Sequence, residues 1–498
     1  MKNKVGLIIG PLLALIILLF FDLDPENPMV TRAAAVAVLM AVWWITEAIP
    51  IAATALIPVV LFPLFGVMNG KEVASIYFNH IIFLFIGGFI VALAMQKWDL
   101  HKRIALRIIM LIGTSPSKVI LGFMVATAFL SMWISNTATT MMMIPIAMAI
   151  ISKLEDKIDS ENVSKLSIGL LIGIAYSASI GGVATLIGTP PNLSFTRILK
   201  IYFPQAPEIT FAGWFVFGFP FALIFLFIAW RVLVWMYAPG KMVISPDRSI
   251  FKEEYRRLGK IGYEETVVLI AFISLAFLWL FRKNINIGDF TLPGWTSMMP
   301  VSGFIDDGTI AIFVALLLFI IPSHQKKGGR IMDWKTAVKL PWGIVLLFGG
   351  GFALASGFKE SGLAMWMGGQ LTGFSHFPPI LIIGGICLMM TFLTELTSNT
   401  ATTEMILPIL GSLAVAIQLN PLLLMIPATL SASCAFMLPV ATPPNAIIFG
   451  TNRIKIKDLI RTGILLNIIG AVLVTIAVYF LGSFVFDIDV SVFPIWAK

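Results

Sequence analysis

Charge is what this sequence has least of. Of 498 residues only 12% are Asp, Glu, Lys or Arg, while 58% are hydrophobic and the mean hydropathy is +0.96. A soluble domain carries about 25% charged residues, so lipid rather than water is the solvent for most of this chain. Cysteine is also scarce. Cys387 and Cys434 both lie in apolar segments, and no disulfide framework or metal spacing follows from them. The four histidines, His80, His101, His324 and His376, sit in or beside loops, and the aspartates sit in loops or at span ends. An intramembrane enzyme needs His, Asp, Cys or metal ligands clustered at a span end. None is present, so the chain does not read as an enzyme. No G-x-x-x-x-G-K-[ST] occurs, and nothing else suggests ATP hydrolysis. The net charge of +8 is no nucleic-acid footprint, because Lys and Arg fall in loops between apolar runs. No Lys or Arg sits centrally in a span, and only Glu47, Glu395 and Glu404 look embedded among the acids.

What is present is a succession of apolar runs, near 5–21, 32–67, 81–96, 104–112, 118–152, 166–187, 210–237, 264–281, 308–321, 342–358, 379–417, 421–450 and 460–485. Pro50 splits the second run into two spans. The start M-K-N-K-V-G-L-I-I-G lacks a cleavage site of small residues and reads as a retained first span. Lys2 and Lys4 place it in the cytoplasm, as do the cations of the loops 241–260 and 322–340. The acidic tail with Asp487 and Asp489 then falls outside. Lys102, Arg103 and Arg107 suggest an amphipathic helix at the headgroups.

Two runs, 118–152 and 379–417, are too long for one crossing, which takes about 20 residues. Each is interrupted only by S-N-T-A-T-T, at 135–140 and again at 398–403. Broken backbone is tolerated at membrane depth only where protein or a cavity satisfies it, so both read as re-entrant hairpins. The interruptions are copies. An offset of 263 pairs Ser135-Asn136-Thr137 with Ser398-Asn399-Thr400, Gly87-Gly88-Phe89 with Gly350-Gly351-Phe352, and Pro145 with Pro408. Behind each hairpin stands a second copy, Gly188-Thr189-Pro190-Pro191-Asn192 and Ala441-Thr442-Pro443-Pro444-Asn445. Proline pairs remove backbone donors, so each T-P-P-N unwinds a helix within the membrane. Lys and Arg flank the first hairpin densely, whereas Lys359 alone flanks the second. The halves are therefore inverted, and substrate sits between them at the broken helices.

Helix N-termini suit a carboxylate, and helix C-terminal carbonyls with hydroxyl oxygens suit a hard cation such as sodium. A dianion held without a cationic side chain is costly to bury, which makes co-bound sodium a physical expectation. Glu47, beside Pro50, reads as structural, the roles of Glu395 and Glu404 stay open, and Gly87-Gly88 and Gly349-Gly350-Gly351 read as close helix contacts.

W-W-I-T-E-A-I-P at 43–50, the two S-N-T motifs, G-T-P-P-N and A-T-P-P-N resemble the divalent anion/sodium symporter family, the INDY-type di- and tricarboxylate carriers. The resemblance covers essentially the whole chain. It implies an all-α polytopic membrane protein of about eleven transmembrane helices plus two re-entrant hairpins. It also implies a homodimer in the plasma membrane among lipid, with a transport domain that moves like an elevator against a scaffold. The scaffold would be 1–117 and, with a cytoplasmic linker, 241–378; the transport domain would be 118–240 and 379–498. By match to the family's motifs, Ser131, Ser135, Asn136 and Gly188 resemble one sodium site, and Thr394, Thr397, Asn399 and Ala441 a second. Asn136, Thr137, Thr189, Asn399, Thr400 and Thr442 fall where the family holds carboxylates. The implied activity is secondary transport of C4-type dicarboxylates (succinate, fumarate, malate, 2-oxoglutarate), coupled to sodium symport. The alternative is sodium-independent dicarboxylate exchange. The second half lacks a counterpart of Gly181-Gly182 and carries Pro439 nearby.

Overall fold

The computed structural model describes residues 2–113, 115–155, 159–238, 248–287, 290–325 and 328–498. Among these the chain is helical apart from one small antiparallel pair, Ile285–Ile287 with Phe290–Leu292. Of the cations expected in cytoplasmic loops, Lys157, Lys241, Lys326 and Lys327 lie outside the described residues.

Eight of the described helices are long and apolar enough to cross a membrane, by length and composition, and shorter apolar helices accompany them. One of the eight, Asn136–Glu155, is an arm of the first hairpin; the other seven and four shorter or broken apolar segments correspond to the eleven expected crossings. They are Lys2–Phe20, Pro28–Thr46, Ile51–Leu64, His80–Lys97, the broken Ser160–Tyr202, Phe211–Tyr237, Tyr263–Leu280, Asp307–Ile320, Trp342–Glu360, the broken Leu422–Phe449 and Ile456–Val485. Each hairpin is a pair of helices, Pro116–Ser131 with Asn136–Glu155 and Pro379–Leu393 with Asn399–Ala416. The repeat shows in where helices begin: Pro116 and Pro379, Asn136 and Asn399, Pro190 and Pro443. Proline in the first turn costs no hydrogen bond and pre-sets φ, so the paired prolines start helices at the same register.

The hairpins open toward opposite ends of the molecule. Glu155, at the open end of the first, binds Arg453 at 2.6 Å. The broken helix that begins nearby at Ser160 ends at Tyr202. There Tyr202 and Phe203 share a crevice with Ser412 and Val415, at the open end of the second hairpin. One broken helix thus links the two ends, and the S-N-T turns meet between them.

The glycine pairs do mark close contacts. A Cβ on Gly87 would lie 2.5 Å from Ala311 Cβ, and one on Gly350 2.6 Å from Ala55 Cα. Side chains there would force the helices apart.

Three sequence readings need correction. The helix Leu100–Ile112 exists, but Arg103 does not face headgroups. It is 7% exposed and binds Glu265 through two bonds of 2.8 and 2.9 Å. Of its three cations, only Lys102 and Arg107 face outward. The embedded acids are also more numerous than expected. Glu264, Glu265 and Asp307 are buried at the starts of apolar helices, whereas Glu47 is exposed. Arg282 holds Asp307 at 2.6 Å and also binds Glu208, so charge pairing offsets that burial. Finally, the linker 241–260 contains a helix, Arg248–Arg257, whose Glu253 reaches Lys153 at 3.4 Å.

Candidate functional site

Four helix starts converge on one cavity. Asn136 and Asn399 begin the second helices of the hairpins, and Pro190 and Pro443 resume the broken helices. The residues around all four line a single cavity of about 880 Å³. The serine of each S-N-T is an N-cap. Ser135 Oγ accepts from the Ala138 amide at 3.2 Å and Ser398 Oγ from that of Ala401 at 3.5 Å. Thr442 caps its helix through the Asn445 amide at 3.3 Å. Thr189 holds the matching N-cap place, with its hydroxyl 3.4 Å from Ser433 of the other half. Free N–H groups mark the two hairpin starts, at Asn136-Thr137 and Asn399-Thr400, while the starts at Pro190-Pro191 and Pro443-Pro444 carry no proline N–H and contribute only the partial positive charge of the helix end. The cavity therefore receives the positive ends of helix dipoles, with no cationic side chain among its described lining. Glu47 is the one ionisable residue among its described lining.

Different side chains hold the two breaks open. In the first half Thr185 Oγ1 donates to Met132 O at 2.5 Å and accepts from the Gly188 amide at 3.0 Å. Asn192 Nδ2 donates to Thr185 O at 2.7 Å and Val183 O at 3.3 Å. These bonds take up carbonyls left open where the helix stops. In the second half an acid does the reverse and takes up amides. Glu395 Oε1 accepts from the amides of Phe436 (2.7 Å) and Met437 (2.8 Å) and from Asn467 Nδ2 (2.7 Å), while Oε2 accepts from the Leu438 amide at 2.9 Å. Asn445 Nδ2 adds a bond to Leu438 O at 3.1 Å.

All six residues matched to substrate, Asn136, Thr137, Thr189, Asn399, Thr400 and Thr442, line the cavity. The first cation set is drawn together. Ser131 Oγ donates to Ala178 O at 2.7 Å and lies 2.6 Å from the Asn136 amide, which also faces Ala178 O (3.1 Å) and Gly188 O (3.3 Å). Carbonyl oxygens only accept, so the protein alone satisfies this group with the amide nitrogen turned inward. With the amide oxygen turned inward, four oxygens face one another, a donor set for a hard cation. Gly182 makes room for the set, since a Cβ there would lie 2.9 Å from Gly188 O. Ser135, by contrast, spends its hydroxyl on the cap.

The second set is not gathered in the same way. Thr394 Oγ1 donates back to Met390 O (2.9 Å) or Thr391 O (3.2 Å) on its own helix. Thr397 bonds Leu393 O (2.9 Å) and Thr402 (2.6 Å). Asn399 Oδ1 is buried without a partner, and Thr397, Asn399 and Ala441 line the cavity while Thr394 lies buried behind it.

The family described as "Sodium:sulfate symporter transmembrane region" matches residues 2–487. The chain belongs to the sodium:sulfate symporter family. It is a multi-pass membrane transporter rather than an enzyme. A protein of Staphylococcus saprophyticus named "Sodium-dependent dicarboxylate transporter SdcS" is 47% identical over 495 residues, covering 98% of this chain and 93% of that one. Its namesake in Staphylococcus aureus strain bovine RF122 is 47% identical over 498 residues, covering 98% and 92%. The crystal structure of the Alcanivorax borkumensis YdaH transporter shares the fold, with a TM-score of 0.55 at 13% identity over 84% of this chain and 89% of that one.

For a sodium:sulfate symporter family member, sequence reasoning missed Thr185, Asn467 and the clasp made by Glu395. Thr185 and Asn467 look like ordinary polar residues in apolar runs. The signal for Glu395 was present, an acid in an apolar run three residues before the second S-N-T.

Proposed function

We propose that this chain carries a C4-type dicarboxylate (succinate, fumarate, malate or 2-oxoglutarate) across the plasma membrane together with sodium. One observation carries the reading: four helix N-termini face a single cavity with no Lys, Arg or His among its described lining. A dianion finds donors there but no counter-charge, and sodium bound to neighbouring oxygens supplies it. The four-oxygen group at Ser131, Asn136, Ala178 and Gly188 is the first sodium site in this proposal. Thr394, Thr397, Asn399 and Ala441 form the second once Thr394 turns from its own helix. Carboxylate oxygens are held by Asn136, Thr137 and Thr189 on one side and by Asn399, Thr400 and Thr442 on the other. Relatives named as sodium-dependent dicarboxylate transporters support both the solute and the ion.

In this reading the chain is a homodimer among lipid. Its hairpins and broken helices, 118–240 and 379–498, move as one body against the scaffold segments 1–117 and 241–378. The N-terminus is cytoplasmic and the C-terminus extracytoplasmic. Trp496 supports the latter, because it lines the crevice at the open end of the second hairpin, opposite the lysine-rich end. Asn136→Ala and Thr400→Ala are expected to lower succinate uptake by roughly 10²-fold while leaving the folded protein intact. Uptake at wild-type rate in either variant would remove these residues from the site.

A further inference from the structure

Glu404 does not line the cavity, yet it is the most enclosed acid among the described residues. It lies on the second hairpin, five residues beyond Asn399, and is 0% exposed. Ser194, on the resumed half of the first broken helix, meets its Oε1 at 3.0 Å, and its Oε2 is buried with no partner. Gly351, on helix Trp342–Glu360, leaves the space the carboxyl fills, because a Cβ there would overlap it. The hairpin geometry does not impose this. Met141 holds the matching place in the first hairpin and is 59% exposed.

No counter-charge comes from the helices packed on this one. Lys200 is held by the carbonyls of Pro204 and Ala206, Lys359 by Ile201 O, and Arg32 by Phe65 O. Arg197, on the helix of Ser194, makes no ion pair with Glu404 and has its Nε buried without a partner, Glu360 is exposed, and the Tyr202 hydroxyl is buried without a partner. Tyr77 is the titratable group that faces Glu404, and its hydroxyl donates elsewhere, to Ala55 O at 2.5 Å. A carboxylate buried with one hydroxyl and no cation is costly, and a proton removes that cost at once. With the proton on Oε1, Ser194 becomes the acceptor and Oε2 a neutral carbonyl oxygen.

We infer that Glu404 is a proton-binding site, filled in the conformation described here, and that its proton leaves when the second hairpin slides off Gly351. The second clause rests on the moving-body reading above; the first does not. External pH then tunes the rate of the conformational step rather than the affinity for solute.

The test uses the full chain reconstituted in lipid, with the proton itself as ligand. Infrared spectra are taken between about pH 6 and pH 9, the range in which buried glutamates titrate. A buried carboxylic-acid band is expected that Glu404→Gln abolishes and Glu404→Asp shifts. Ser194→Ala removes the single hydrogen bond and is expected to raise the midpoint. If Glu404→Gln removes no band, the proposal is overturned, whatever solute the protein carries. Sodium-driven uptake of fumarate, dianionic throughout this range, reads the second clause. Wild-type kcat is expected to fall about tenfold per pH unit below the midpoint with KM unchanged, and Glu404→Gln to be flat. A Glu404→Gln profile that copies wild type overturns the coupling. Absence of uptake in wild type refutes the transport reading instead, and the infrared band still decides the proton.

Discussion

Two short polar residues shape the candidate site, and they do so through helix starts. Asn136 and Asn399 each open a helix behind a serine cap, which turns that helix's free amides toward the cavity. Their places were legible because S-N-T interrupts an apolar run where nothing else does. The clasp at Glu395 was not legible, because its partners are main-chain amides 41 to 43 positions away, and a sequence shows no backbone direction. Glu395→Ala strands one buried amide (Phe436), two part-buried amides (Met437, Leu438) and the Asn467 side chain, and is expected to cost about 2–4 kcal/mol. Glu395→Gln keeps one acceptor and is expected to cost less. Thermal unfolding in detergent measures both, and an alanine variant as stable as wild type would show that the clasp is idle.

At the scale of elements, the two halves reach the same break by different chemistry. Gly182 and Gly188 let the first turn close tightly around Asn136. The second half lacks that glycine pair, stays irregular from Ser433 to Thr442, and needs an acid to hold it. The missing glycines were visible in the sequence; the substitute was not. A second element-level device lies outside the membrane. Lys97 binds Asp333 at 2.6 Å and also Ile331 O at 2.9 Å, tying helix His80–Lys97 to the loop after Asp307–Ile320. The hydrogen bond from Lys97 holds the Asp333 carboxyl down at about 2. A depressed acid stabilises the fold above its unfolded value, near 3.9, and that stability is lost as pH falls through about 2. Asp333→Asn is therefore expected to lower Tm at pH 7, with the gap to wild type closing as the pH is taken below about 4. A gap that does not change with pH would assign the effect to something other than this ion pair.

At the scale of the whole molecule, the repeat was the most legible feature, because paired motifs at one offset survive as paired helix starts. Less legible were the buried ion pairs of Arg103 with Glu265 and Arg282 with Asp307. In the sequence Arg103 reads as part of a headgroup-facing helix and Asp307 as a loop charge, with nothing to pair them with Glu265 and Arg282. In the fold they are helix ends pressed together. The opposed hairpins make a direct prediction about sidedness. Cys387 and Cys434 are buried and leave a quiet background. A cysteine at Lys165 is expected to react with an impermeant reagent only from the cytoplasm, and one at Gln418 only from outside. Reaction of both from one face would refute the inversion. Sidedness and site meet in the coupling of solute to ion, which uptake of radiolabelled succinate into proteoliposomes tests most directly. The expected result is accumulation driven by an inward sodium gradient and absent without sodium, even when unlabelled dicarboxylate is loaded inside. Uptake that follows internal dicarboxylate and ignores sodium would contradict it and make the protein an exchanger.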